Sequence, residues 1–223
     1  RLQRVINKEM KREGLLETVR QVFACGWRSL KLYFMIGLPT ERWEDIEAIP
    51  SLCAELREAA QRVRQDAHLT VSISTFIPKA HTPFQWVAQE GMEETARKQA
   101  YLRKALRKAR VEVKWQGKEM SFLEGVFSRG DRRLASVLLE AHRLGCRLDG
   151  WSEYFRFDAW KEAFARTGID PAFYLRERGK EEVFPWDHID SMVSKSLLWS
   201  DWEEALKEGT LHDCTIGPCY ACG

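Results

Sequence analysis

Three cysteines close the chain at a spacing suited to metal chemistry. Cys214, Cys219 and Cys222 read CxxxxCxxC in a loop that also holds Gly217 and Pro218, with His212 and Asp213 just ahead. Thiolates this close can converge on one soft metal or cluster, and Cys219-Tyr220-Ala221-Cys222 is the ordinary two-residue clip. Spacing alone fits zinc and an iron-sulfur cluster equally, and a fourth ligand could be His212, a residue beyond Gly223 or a substrate. Left without metal, the same thiols are a reactive tail. Gly37-Leu38-Pro39 is a second constellation: glycine permits close backbone approach, and Glu41 just after it could bond a ligand or favour the positive end of a helix dipole. In Phe184-Pro185-Trp186-Asp187-His188, an Asp-His pair suits acid/base work, metal binding or plain structural pairing. Arg129, Asp131, Arg132 and Arg133 could hold an anion at a helix start or simply cap that helix. From Arg97 to Arg110, seven basic residues (Arg97, Lys98, Arg103, Lys104, Arg107, Lys108, Arg110) occur with no acid among them. That run reads as an RNA- or phosphate-binding surface, or as a solvated face docked against the acidic helix holding Glu55 and Glu58.

The elements that must position these groups follow from periodicity. Leu30, Leu32, Phe34 and Ile36 share one face of a strand, while Lys31, Tyr33 and Met35 share the other. Gly37 and Pro39 end it, and Thr40 is placed to cap a helix. Leu69, Val71, Ile73 and Thr75 alternate with Thr70, Ser72, Ser74 and Phe76 in a second strand, and Val111, Val113 and Trp115 suggest a short third. A helix between the first two makes a right-handed βαβ unit with parallel strands. The polar faces, Lys31, Tyr33 and Met35 beside Ser72, Ser74 and Phe76, suit the lumen of an open barrel or the solvated side of a two-layer sheet. Residues 1–28 read as one helix stopped by Gly26. In the stripe Ile46, Ile49, Leu52, Cys53, Leu56, Ala59, Ala60 and Val63, Pro50 is expected to divide a short turn from the main helix, because an interior proline costs about 3 kcal/mol. A basic helix spans about Glu93 to Arg110.

Past Gly117 strands disappear and aromatics become dense. Short helices are expected at 121–127, 131–143, 158–166, 170–177 and 194–207, with Asp131 and Asp170 as caps. The core expected for this part is Trp151, Tyr154, Phe155, Phe157, Trp160 and Phe164. The fold class is therefore α/β, with a sheet-bearing part over 1–117 and a mainly helical subdomain over 118–223.

Composition limits the partners. With 44% apolar residues the 223-residue chain can bury a core, and a net charge of +2 demands neither nucleic acid nor an acidic membrane. No apolar run approaches the roughly 20 residues that span a bilayer, and no amino-terminal signal pattern is visible, so the cytoplasm is the expected compartment. Cys25, Cys53 and Cys146 are solitary and sit in apolar settings, which points to buried thiols plus a ligand cluster rather than a disulfide framework.

Tyr33-Phe34-Met35-Ile36-Gly37-Leu38-Pro39-Thr40-Glu41, followed by Ser74-Thr75-Phe76-Ile77-Pro78-Lys79 and His81-Thr82-Pro83-Phe84, resembles the late barrel strands of radical S-adenosylmethionine (SAM) enzymes. The likeness runs on through Gly130-Asp131-Arg132-Arg133 and Phe184-Pro185-Trp186-Asp187-His188 to the closing cysteines. It is nearest to a bacterial group whose members usually carry a cobalamin-binding domain ahead of the radical domain. The resemblance implies a partial, incomplete β/α barrel in which the backbone at Met35, Ile36 and Gly37, and at Phe76, Ile77 and Pro78, lies beside the adenine and methionine parts of SAM. Glu41 then stands at the rim, and the cysteine tail leans toward an accessory iron-sulfur cluster. Enzymes of that family hold their four-iron cluster on CxxxCxxC near the barrel start, a spacing these residues lack. The expectation is thus a carboxyl-terminal piece of a longer enzyme, inactive alone, whose partner is the missing amino-terminal part and whose parent can also use cobalamin. A rival reading is a non-catalytic module that grips RNA or metal with helix 97–110 and the cysteine tail.

Overall fold

Strands β1 (Ser29–Ile36) and β2 (His68–Thr75) run parallel in unbroken register, from Ser29 opposite His68 to Ile36 opposite Thr75. A short third strand, β3 (Glu112–Trp115), pairs parallel with β2, so the sheet order is β1-β2-β3. This computed structural model describes residues 1–212 and 214–220. Helices α1 (Leu2–Val5) and α2 (Arg12–Ala24) precede β1; α3 (Trp43–Val63) and α4 (Met92–Lys108) form the two crossovers. The chain is mixed α/β, as its pattern predicts, and it groups into two compact units. The first takes in 1–76, 90–116 and the described residues from 199 on; the second takes in 77–89 and 117–198.

In the first unit the period of two does the sorting. Leu69, Val71 and Ile73 of the central strand are buried, together with Ile36, beneath Val19 and Phe23 of α2, Ile46, Cys53 and Leu56 of α3, and Leu102 and Leu106 of α4. Each such side chain contributes about 1.5–3 kcal/mol. On the opposite face of β1, Tyr33 is 75% exposed and Met35 43%, and the Lys31 ammonium lies 5.0 Å from the Tyr33 ring centroid; Thr70, Ser72 and Ser74 of β2 are half-buried.

Three local expectations need correction. Residues 1–28 hold two helices, because Asn7-Lys8-Glu9 offers nothing apolar to bury and Asn7 turns through φ 48°. Thr40 does not cap α3: its φ of 65° is left-handed, whereas a cap needs extended backbone. The Asp45 carboxylate instead accepts the Arg42 N–H at 2.8 Å, and Arg1 donates to the Thr40 hydroxyl at 3.1 Å. Finally, α3 runs unbroken through Pro50. The ring has no N–H for the Ile46 carbonyl, but Ile46, Ile49, Cys53, Leu56 and Ala60 lie on one buried stripe across it, and that burial outweighs the local cost.

The second unit is mainly helical: α5 (Lys118–Ser128), α6 (Leu134–Arg143), α7 (Phe157–Thr167) and α8 (Ala172–Leu175), while α9 (Lys195–Leu206) begins in it and ends in the first. Its core gathers Leu123, Val126, Leu134, Val137, Trp160 and Phe164, with the Phe127 and Trp160 rings edge to face at 5.4 Å. Of the expected aromatic core, Trp151 (62%) and Tyr154 (53%) are exposed, because they fall in a turn where helical spacing has no meaning. The 77–89 segment docks on α5 at Gly125. A Cβ there would come within 1.7 Å of Gln89 Oε1, and Gln89 uses the room to donate to the Ser121 carbonyl at 2.9 Å. No helix among the described residues is long and apolar enough to cross a membrane.

Replacing Pro50 with alanine restores the bond to Ile46 and relieves the ring's clash with that carbonyl, together about 3 kcal/mol, and gives up about 2 kcal/mol of ring packing. The expected result is a stability gain of about 1 kcal/mol, read as a higher urea midpoint at unchanged slope. A lower midpoint would mean that ring packing outweighs the missing bond.

Candidate functional site

The carboxyl ends of β1 and β2, where parallel sheets place their ligand crevices, bring together Met35, Ile36, Gly37 and Phe76. The Phe76 N–H donates to the Ile36 carbonyl at 2.8 Å. Gly37 turns through φ 77°, a conformation that glycine adopts without strain, and a Cβ on it would meet the Glu90 side chain at 3.4 Å. Its N–H points at Glu41 and donates to both carboxylate oxygens at 3.0 Å. Ile77 and Pro78 follow directly, both buried, and open the second unit.

Glu41 is not an exposed rim residue. Its side chain is 3% exposed, and the Lys98 ammonium, itself 8% exposed, donates to it at 2.5 Å. Lys98 also donates to Glu90, whose other oxygen accepts from the Thr95 hydroxyl at 3.2 Å. Two carboxylates thus share one ammonium out of water. Burial pushes the Glu41 carboxyl above its ordinary range, against the opposing bonds from Lys98 and Gly37. Burial acts to lower the Lys98 pKa, but the two carboxylates outweigh it and raise it. The two shifts have different causes: desolvation holds the proton on Glu41, and the carboxylate partners hold it on Lys98.

Lys98 thereby leaves the expected basic surface. Arg97 pairs with Glu94 at 2.6 Å and lies over the Trp43 ring at 4.6 Å, and Arg103 lies over Trp115 at 4.4 Å. Lys104, Arg107, Lys108 and Arg110 are exposed. Helix α4 does pack against α3, the helix holding Glu55 and Glu58, with the Trp43 and Tyr101 rings 5.3 Å apart, while Glu55 pairs with Arg12 at 2.5 Å and Glu58 with Arg62 at 3.6 Å. The signal for Lys98 lies in its spacing, since it shares the buried stripe of Thr95, Leu102 and Leu106. Nothing local singles out Glu90.

The remaining candidates separate. Cys214 and Cys219 are exposed, and Cys222 and Asp213 lie outside the described residues. His212 donates from Nε2 to the Pro218 carbonyl at 2.8 Å and accepts at Nδ1 from the Tyr220 hydroxyl, so both its ring nitrogens are engaged. No metal-holding group of three or more His, Cys, Asp or Glu forms among the described residues. Cys53 is buried and its thiol is pushed up to about 12 by desolvation, which keeps it protonated and inert. Cys146 is also buried, whereas Cys25 is exposed at the end of α2, contrary to expectation. Asp131 accepts from the Arg133 backbone at 2.9 Å and pairs with its guanidinium at 2.7 Å, but it is not the expected cap, because α6 starts at Leu134 behind Arg133 with no side-chain cap bond. Asp187 bonds Lys195 at 2.6 Å rather than its neighbour His188.

Lys98→Met leaves two carboxylates buried without a counter-charge and is expected to cost about 3–5 kcal/mol at pH 7. The exposed neighbour Arg97→Met should cost less than about 1 kcal/mol. Glu41 takes up its proton at a higher pH when folded than when unfolded, so acidification through that window favours the folded variant. Urea unfolding should therefore show a smaller Lys98→Met penalty at pH 5 than at pH 7; equal penalties would mean that the cluster is not electrostatically coupled.

No family model matches the chain, and no solved structure matches it significantly. Over 138 residues, 62% of this chain, it is 29% identical to an uncharacterized protein of Methanocaldococcus jannaschii. The matched stretch is 29% of that protein's length, so the chain spans only a minor part of this relative.

Proposed function

We propose that the chain is part of a radical SAM enzyme, with β1 to β3, α3 and α4 as the late segment of a partial β/α barrel. One observation carries the reading: the parallel strands bury one face under their crossover helices while Tyr33 and Met35 on the other face of β1 stay exposed, as a wall lining a polar lumen would. In this reading a preceding region of the same protein brings the four-iron cluster and, in the longer protein, any cobalamin. The residues here fit a neighbouring cofactor in a particular way. The Gly37 amide and Ile36 carbonyl are engaged inside the protein, so they position the turn, and Glu41 and Lys98 hold it there. Met35, 43% exposed at the end of β1, supplies apolar surface on which an adenine can lie, while Phe76, buried at 7%, backs the strand end from within. When bound and reductively cleaved, SAM supplies a 5′-deoxyadenosyl radical.

Anaerobic protein that includes the proposed preceding region, given SAM and dithionite, is expected to form 5′-deoxyadenosine, while residues 1–223 alone form none. Product from the 223-residue chain would overturn this division of roles, and none from the longer protein would overturn the reading itself.

The tail reading is testable on its own. Cys214, Cys219 and Cys222 are expected to hold zinc or an iron-sulfur cluster, seen by metal analysis and visible absorbance of anaerobic protein and lost in the triple alanine variant. An iron-reconstituted, zinc-supplemented sample holding well under about one metal per three cysteines would refute it.

A further inference from the structure

The second unit carries a pocket that neither the strand ends nor the cysteine tail uses. Its volume is about 400 Å³, within the range of small-molecule sites, roughly 300–1,000 Å³. Two stretches far apart in the chain wall it: the turn bearing His81 and Gln85, and the loop from Asp187 to Lys195, closed by Leu198. Gln85, 2% exposed, ties them together. Its side-chain carbonyl accepts from the His81 N–H at 3.2 Å and from Trp186 Nε1–H at 2.8 Å.

Most polar groups of the wall are already committed. Asp187 accepts from the Phe184 N–H at 2.9 Å and from Lys195 at 2.6 Å. Lys195 also donates to the Glu182 carbonyl at 2.7 Å, and one Asp190 oxygen accepts the Met192 N–H at 2.8 Å. His81 is the exception. Its Nε2 is shielded from solvent with no hydrogen-bond partner among the described residues, a state that carries the desolvation penalty of an unmade bond. Its backbone stands at φ 54°, a left-handed conformation that is strained for a non-glycine residue. A ligand accepting from Nε2 would offset the first cost and account for a strained histidine at this wall.

The charge behind the wall indicates the kind of ligand. Arg129, fully buried, donates to the Arg176 carbonyl at 3.0 Å and the Gln85 carbonyl at 3.4 Å. Arg178, also buried, donates to the Arg129 carbonyl at 2.7 Å and lies 5.1 Å from the Trp186 ring centroid. Among the described residues neither forms an ion pair, and Arg129 Nε and Nη1 have no partner. Burial first, then Arg178 and Arg176, pull Arg129 down to about 10, which leaves it cationic at neutral pH. Arg176 and Glu182 neutralise each other at 2.8 Å. Lys195 and Asp187 likewise pair at 2.6 Å. That leaves Arg129 behind Gln85 and Arg178 behind Trp186 without a carboxylate partner, in low-dielectric surroundings that screen them least, against Asp190 as the wall's other acid.

We propose that this pocket binds a small anionic ligand bearing a phosphate or carboxylate group, with His81 Nε2–H and His188 as donors and Ile189, Val193 and Leu198 against its apolar part. The test follows the imidazole resonances of the full chain by nitrogen-15 NMR during titration with inorganic phosphate, acetate, glycerol or ethylammonium. Phosphate or acetate should shift His81 and His188 saturably with a dissociation constant near about 1 mM, worth about 4 kcal/mol, and the stronger of the two identifies the group. Glycerol and ethylammonium should not. His81→Asn, which tolerates the left-handed backbone and removes Nε2, should weaken binding at least tenfold. Should that variant not fold, the exposed His188→Ala should weaken binding severalfold. No saturable shift with either anion, a response to ethylammonium instead, or unchanged binding in the folded variants would overturn the proposal.

Discussion

The structure at the end of β1 depends on one buried ammonium shared by two carboxylates. Glu41 belongs to the loop that leaves the strand, Glu90 to the segment that enters α4, and Lys98 to α4 itself. Three pieces of chain distant in sequence meet there, and the Gly37 amide is satisfied by the same Glu41 that receives the lysine. Hydrophobic burial under the sheet is non-directional and would tolerate small sliding of α4. The charge cluster does not, because each carboxylate must keep its donors or remain costly and unpaired. The turn that closes β1 is thereby fixed with a definite shape.

Such a cluster is a poor source of net stability, since desolvation cancels much of the attraction. What it provides here is position. Gly37 and Met35 stand at the carboxyl end of a strand on which Tyr33 and Met35 are exposed, and a site there needs a turn that does not rearrange when a ligand arrives. The same logic holds in the second unit, where Gln85 receives both His81 and Trp186.

The parallel strands were legible because their signal is local: Leu30, Leu32, Phe34 and Ile36 alternate with Lys31, Tyr33 and Met35, and burial follows that alternation. Where local preference and tertiary burial compete, local reading fails. Pro50 looks like a break until the stripe on both sides of it is seen packed, and Trp151 and Tyr154 look like core until a turn turns them outward. Partner choice is the least legible layer. Lys98 sits in a run of basic residues that reads as surface, and only its place between Thr95 and Leu102 betrays burial. Glu90 and the Arg129–Arg178 contact carry no sequence mark, because each is defined by segments that only the folded chain brings together.

The path of the chain between its two units has a consequence for how the protein is made. The first unit is finished by residues from 199 on, where Trp202 and Ala205 are buried and Glu208 reaches Arg1 and Arg42 at 3.5 and 3.6 Å. On the ribosome, the sheet, its crossover helices and the whole second unit emerge before that closing helix does. Domains ordinarily fold in order as they appear. Here the first unit must wait for its own closing segment, from residue 199 on, which is made only after the whole of the second unit.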